Sequence, residues 1–119
     1  MIGAPPVMSE NQFLGFVTDL AKWCGWLVFH PTPALTPAGQ WRTHYTGHAG
    51  FPDLVLVHAN RWPNVIFAEL KTERGKVTPG QRQWLNALDD AGAYAVVWRP
   101  QDTDTITDIL KGTPTDDTR

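Results

Sequence analysis

The sequence has a single cysteine, Cys24, among 119 residues. That excludes a disulfide framework within the chain and a zinc site made from several thiolates, and it fits a reducing compartment. No segment approaches the roughly 18 consecutive apolar residues of a membrane span, and Met1 to Glu10 lacks a basic region followed by a long apolar run. The expectation is a soluble cytoplasmic protein with no membrane partner. Positive charge is not in excess either: 10 basic residues face 12 acidic ones, and the formal net charge is −2. A surface coated with cations is thereby ruled out. Internal repeats and low-complexity blocks are also missing.

Apolar side chains are plentiful, at 42% of the residues, and include six Trp and five Phe. This suits one core in one domain and leaves no material for a second. The expected division is a flexible N-terminus over 1–8, a domain over 9–111 and a flexible tail over 112–119. The tryptophans are read as core and platform packing. Charge is unevenly spread. From Pro100 onward five acids stand against Lys111 and Arg119, which leaves seven acids and eight bases in residues 1–99. That region carries +1, so a nucleic-acid partner is permitted without being demanded.

Ser9 and Gln12 have capping-box spacing, and Phe13, Val17, Leu20, Ala21 and Cys24 recur at helical intervals up to Gly25. Trp26 to His30 suits a short strand. Pro31 to Gly50 holds three prolines and little apolar periodicity, which reads as a long loop. Asp53–Val57 and Val65–Lys71 read as strands joined by a turn over Asn60 to Pro63. Thr78, Pro79 and Gln81 start a second helix that Gly92 ends; Ala93–Trp98 is a further strand, and Ile106, Ile109 and Leu110 mark a last helix. The order is αβββαβα. An antiparallel pair followed by a helical crossover predicts an α/β fold with a mixed central sheet flanked by helices.

The chemistry converges on the hairpin. Paired residues in a symmetric hairpin share a midpoint, and that of positions 53 and 69 is Arg61, inside the expected turn. Asp53 and Glu69 would then face each other. Directly opposed like charges on neighbouring strands are destabilising unless something between them compensates, and a divalent cation does so. Glu69 and Lys71 share a face because strand side chains alternate, so the ammonium stands beside the cation. Such a group can orient a water and stabilise charge on a phosphoryl oxygen, as metal-assisted phosphodiester hydrolysis requires. Glu10 and Gln81 lie at helix starts on the edge of each buried stripe, where they could be presented at the rim of the core.

Plainer readings stand beside these. Glu10 can serve only a positive helix end, and Gln81 only its capping box. Asp53 can be a strand-start residue and Glu69 with Lys71 a solvated edge pair, although Glu69 interrupts an apolar strand where a charge is costly. His44 and His48 lie in a Pro/Gly-rich stretch and read as surface histidines rather than zinc ligands.

Gly50-Phe51-Pro52-Asp53, then Phe67-Ala68-Glu69-Leu70-Lys71, then Thr78-Pro79-Gly80-Gln81 resemble the VRR-NUC branch of the PD-(D/E)xK nuclease superfamily. The likeness extends to Ser9-Glu10, Gly25-Trp26 and Ala91-Gly92-Ala93, roughly residues 9 to 110. Phe51 departs from it, since a β-branched residue is more usual before Pro-Asp. The resemblance implies a restriction-endonuclease-like core, with Glu10, Asp53, Glu69 and the Leu70 carbonyl around Mg²⁺ or Mn²⁺. It makes Lys71 the catalytic lysine, with Gln81 supporting the site. Similar small proteins of phages and bacteria act as homodimers on branched DNA such as four-way junctions. Arg74, Lys76 and Arg82 flank the Glu-x-Lys strand and are the expected phosphate contacts, with Arg42, His44 and Arg99 as further candidates. The alternative is a catalytically silent nuclease-like protein that binds DNA structures during replication or repair.

Overall fold

The computed structural model describes residues 7–31, 34, 35, 37–42 and 45–112. The expected flexible ends fall largely outside these residues, and so does His44. Of Arg42 only the backbone is described.

Two capping boxes fix where the first two helices begin. In α1 (Glu10–Trp23) the Ser9 hydroxyl accepts from Gln12 N–H at 3.1 Å while the Gln12 side chain accepts from Ser9 N–H at 2.9 Å. Thr78 and Gln81 repeat the arrangement at α2 (Pro79–Asp90), at 3.2 and 2.9 Å. Each box satisfies donors that a first helical turn leaves unpaired. Gly25 and Gly92, both at positive φ, turn the chain out of these helices as the sequence suggests. The third helix, α3 (Thr103–Lys111), follows a single 3₁₀ turn over Pro100–Asp102.

The strands are β1 (Leu27–Phe29), β2 (Ala34–Leu35), β3 (Trp41–Arg42), β4 (Leu54–Val57), β5 (Val65–Leu70) and β6 (Tyr94–Trp98). Four of them form one sheet in the order β1-β4-β5-β6. The first two pairings are antiparallel and the last is parallel, which gives the expected mixed sheet. The hairpin register is also as expected: Val57 opposes Val65 and Leu54 opposes Ala68, so one further step brings residues 53 and 69 opposite each other. One element differs. The interval read as a long loop contains β2 and β3, which pair with each other as a separate two-stranded ladder. Two-residue strands carry no periodicity that a sequence pattern can register.

Alternation along the strands sets the layers. Leu54, Leu56, Ile66 and Ala68 are fully buried and cluster with Phe13, Val17 and Ala21 of α1 and Ile106 and Leu110 of α3. Each such Leu or Ile contributes about 1.5–3 kcal/mol by leaving water. Phe67, between Ile66 and Ala68, points to the other face, where it meets Phe51, which in turn packs on Trp84 of α2. The tryptophans divide. Trp26 and Trp98 are buried, and the Trp26 indole N–H donates to Leu110 O at 2.9 Å, tying the start of β1 to the end of α3. Trp23 and Trp62, expected as packing residues, are instead 88% and 81% exposed. One ends a helix and the other sits in the hairpin turn, so neither has a layer above it.

Candidate active site

Asp53 immediately precedes β4, Glu69 lies at the end of β5 and Lys71 just after it, so hairpin pairing brings Asp53 to the same end of the sheet as Glu69 and Lys71. The half-buried Asp53 is fixed through its side chain: Leu70 N–H donates to Asp53 Oδ2 at 2.8 Å. β6 anchors the other side, since Lys71 N–H donates to Trp98 O at 3.0 Å. Backbone bonds of both strands thus hold the three groups in place, while the hairpin turn lies at the far end.

Glu69 is the unusual member. It is 2% exposed, and among the described residues it is the buried charged one. One carboxylate oxygen, Oε2, lies 3.5 Å from Lys71 Nζ. The other, Oε1, is buried without a hydrogen-bond partner. Burial, reinforced by the neighbouring Asp53 carboxylate, pushes the Glu69 carboxyl up to about 8, and Lys71 opposes that shift. An uncompensated buried carboxylate is costly, and two carboxylates in one site oppose each other's ionisation. The arrangement therefore has room, chemically, for a cation.

Beside Asp53 opens a cleft of about 730 Å³ whose lining includes Glu10, His30 and Leu70. Glu10 is the first residue of α1 and is exposed at this cleft. It is not gathered with Asp53 and Glu69: among the described residues no three acidic, histidine or cysteine side chains are close enough to hold one ion. Gln81 uses its side-chain oxygen on Thr78 N–H, the plainer of its two readings. Arg74 and Lys76, in the segment after β5, and Arg82, in the first turn of α2, are exposed. Arg99 is committed elsewhere. One guanidinium nitrogen, Nη1, donates to Thr72 O at 2.9 Å and to Gly75 O at 2.7 Å, so the half-buried side chain braces the segment carrying Arg74.

No sequence motif marks His30, which follows β1. A carbonyl only accepts, so His30 Nδ1 carries a proton and donates to Asp53 O at 2.7 Å. Its place at the end of a strand next to the one bearing Asp53 is the signal that was available. The close approach of Gly50 to α2 was equally invisible. A Cβ at Gly50, whose φ is +97°, would lie 2.5 Å from Gly80 C and 2.6 Å from Gln81 N. Glycine is therefore required where the Gly-Phe-Pro-Asp segment packs on the helix.

The VRR-NUC domain sequence model matches residues 34–102, more than half of the chain. This chain belongs to the VRR-NUC domain family. The match takes in Asp53, Glu69, Lys71 and Gln81, while Glu10 and His30 lie before it. Among solved structures, one described as "VRR_NUC domain" is 22% identical with a TM-score of 0.62, covering 82% of this chain and 91% of its own. Another, "VRR_NUC domain protein", is 20% identical with a TM-score of 0.53, covering 89% and 91%. At such identities the likeness is one of fold, and the fold is nuclease-like. No curated protein matches.

Proposed function

We propose that this chain is a metal-dependent endonuclease that hydrolyses phosphodiester bonds in DNA. The observation that carries the reading is the buried Glu69 carboxyl, whose Oε1 accepts from no donor group, beside Asp53. A carboxylate oxygen withdrawn from water beside a second acid fits a hard divalent cation such as Mg²⁺ or Mn²⁺. Asp53, Glu69 and the Leu70 carbonyl would hold it, while Glu10 lines the cleft beside Asp53 without joining the two acids. Such an ion supplies Lewis acidity toward a phosphoryl oxygen and makes water more acidic.

The chain's own groups do the rest. Lys71, half-buried and 3.5 Å from Glu69, places an ammonium where a phosphoryl oxygen gains charge. The Leu70 N–H holds Asp53 in one orientation, and the His30 bond to the Asp53 carbonyl steadies the backbone behind it. Arg74, Lys76 and Arg82 bind phosphates on either side. On the family likeness we extend the reading to branched DNA such as four-way junctions, cut by a homodimer in the cytoplasm. No helix among the described residues is long and apolar enough to cross a membrane.

A second reading, DNA-structure binding without cleavage, is favoured by one observation: no third acid joins Asp53 and Glu69 among the described residues. The test is incubation with Mg²⁺ or Mn²⁺ and linear, flapped, splayed and four-way DNAs. Cleavage that disappears in Glu69→Ala and Lys71→Ala supports the enzyme. Binding without any cleavage supports the second reading.

A further inference from the structure

The cleft beside Asp53 has walls that phosphate chemistry does not explain. Phe51 and Trp84 form its fixed side. Their rings meet edge to face at 5.0 Å, Phe51 also packs edge to face on Phe67 at 6.1 Å, and the Trp84 indole N–H donates to His48 O at 3.1 Å. These rings are already ordered, so contact with them costs little further side-chain freedom. The lining also includes Phe29, at the end of β1, and Tyr45, in the segment before Gly50, each 60% exposed. Among the described residues the lining has no Lys or Arg. Large aromatic surfaces left in water beside a fixed aromatic wall mark a binding site for a flat apolar group. At about 730 Å³ the cleft is within the ~300–1,000 Å³ range of sites that take up whole organic ligands.

We propose that this cleft is a nucleobase subsite: Phe29 and Tyr45 stack an unpaired base belonging to the nucleotide next to the scissile phosphate. The proposal rests on the nuclease reading for its orientation, because Asp53 lines the same cleft. It names a substrate feature that phosphate contacts alone cannot select, since every backbone carries phosphates. A base inside a duplex is stacked and paired, so only an unpaired or readily extruded one can enter. Aromatic rings accept any base face, so the selection is for unpairing and not for sequence.

The test measures binding by fluorescence anisotropy, at low salt and in EDTA, with two labelled duplexes that differ only in one unpaired nucleotide. Wild type should bind the interrupted duplex about tenfold more tightly, the scale of one base–aromatic stack. Phe29→Ala and Tyr45→Ala should each bring that ratio toward one. Both side chains are exposed, so their removal leaves the core intact, and Tyr45→Phe, which keeps the ring, should keep the ratio. Equal affinity of wild type for the two duplexes, absence of binding to both, or an unchanged ratio in both alanine variants would overturn the proposal. Cleavage with Mn²⁺ is scored separately. A preference in EDTA without cleavage of any DNA removes the nuclease reading and leaves the subsite, whereas cleavage with no preference does the reverse. A dimer in light scattering that becomes monomer in both alanine variants, with the ratio unchanged, would assign these rings to self-association.

Discussion

Leu70 N–H and the Asp53 carboxylate are joined by a 2.8 Å hydrogen bond, so the strand that presents Glu69 also orients the acid opposite it. Asp53 thus has two separable duties, accepting that bond and carrying charge. Asp53→Asn keeps an acceptor and loses the charge, whereas Asp53→Ala loses both. Both variants should lose at least about a hundredfold in cleavage, the scale of one electrostatic contact in an active site. Thermal denaturation should separate them. Asp53→Ala leaves a peptide N–H without its partner and should be less stable than Asp53→Asn by about 1–3 kcal/mol.

The raised Glu69 carboxyl makes stability depend on pH with a defined sign. Its ordinary value is 4.5 and its folded value about 8, so between these the folded protein holds a proton that the unfolded chain has released. Stability of the metal-free protein therefore falls as pH rises from about 4.5 to 8 and levels off above that. Melting temperatures in EDTA from pH 5 to 9 should show the fall in wild type. Glu69→Gln, which has no proton to lose, should lack that component and be the more stable protein at pH 9.

On the proposed reading a divalent cation held by Glu69 displaces the same proton. Affinity for Mn²⁺ should strengthen by up to about tenfold per pH unit between pH 6 and 8, with proton release to the buffer. Calorimetry in buffers of different ionisation enthalpy measures both. An affinity independent of pH in this window would mean that Glu69 is not a ligand.

The cations around the site should sort by their contacts. Each phosphate contact through Arg74, Lys76 or Arg82 contributes about 0.9 to the slope of log affinity against log salt for duplex DNA. Alanine at any of the three should lower the slope by that amount. Arg99→Ala should leave the slope nearly unchanged, because Nη1 of its guanidinium is held by Thr72 O and Gly75 O, and should instead lower the melting temperature.

Gly50→Ala probes packing instead of charge. The added methyl meets the α2 backbone at 2.5 Å, at a φ that alanine disfavours. The expected cost is about 1–3 kcal/mol in stability. Cleavage should fall as well, since Asp53 lies three residues on.

Local signals made much of this fold legible. Ser9 with Gln12 and Thr78 with Gln81 announce helix starts by side-chain chemistry alone, and the structure forms both boxes. The shared midpoint of residues 53 and 69 predicted the hairpin register because a tight antiparallel turn leaves little freedom to slip. Features that depend on what lies above a residue were not legible. Trp26 and Trp23 look alike in sequence, yet one meets α3 and the other meets solvent. His30, Phe29 and Tyr45 come to Asp53 from the end of one strand and from a loop, and no periodicity records that meeting. Glu10 shows the converse. Its place at the start of α1 follows from the capping signal, but helical position does not fix how far an exposed side chain stands from acids on another element.

The most direct test is calorimetric titration of Mn²⁺ at pH 8 into wild type, Asp53→Asn and Glu69→Gln, with folding of each checked by its melting transition. One ion shared by the two carboxylates predicts saturable binding in wild type and affinity at least about tenfold weaker in each folded variant. Wild-type affinity in both variants would contradict the account.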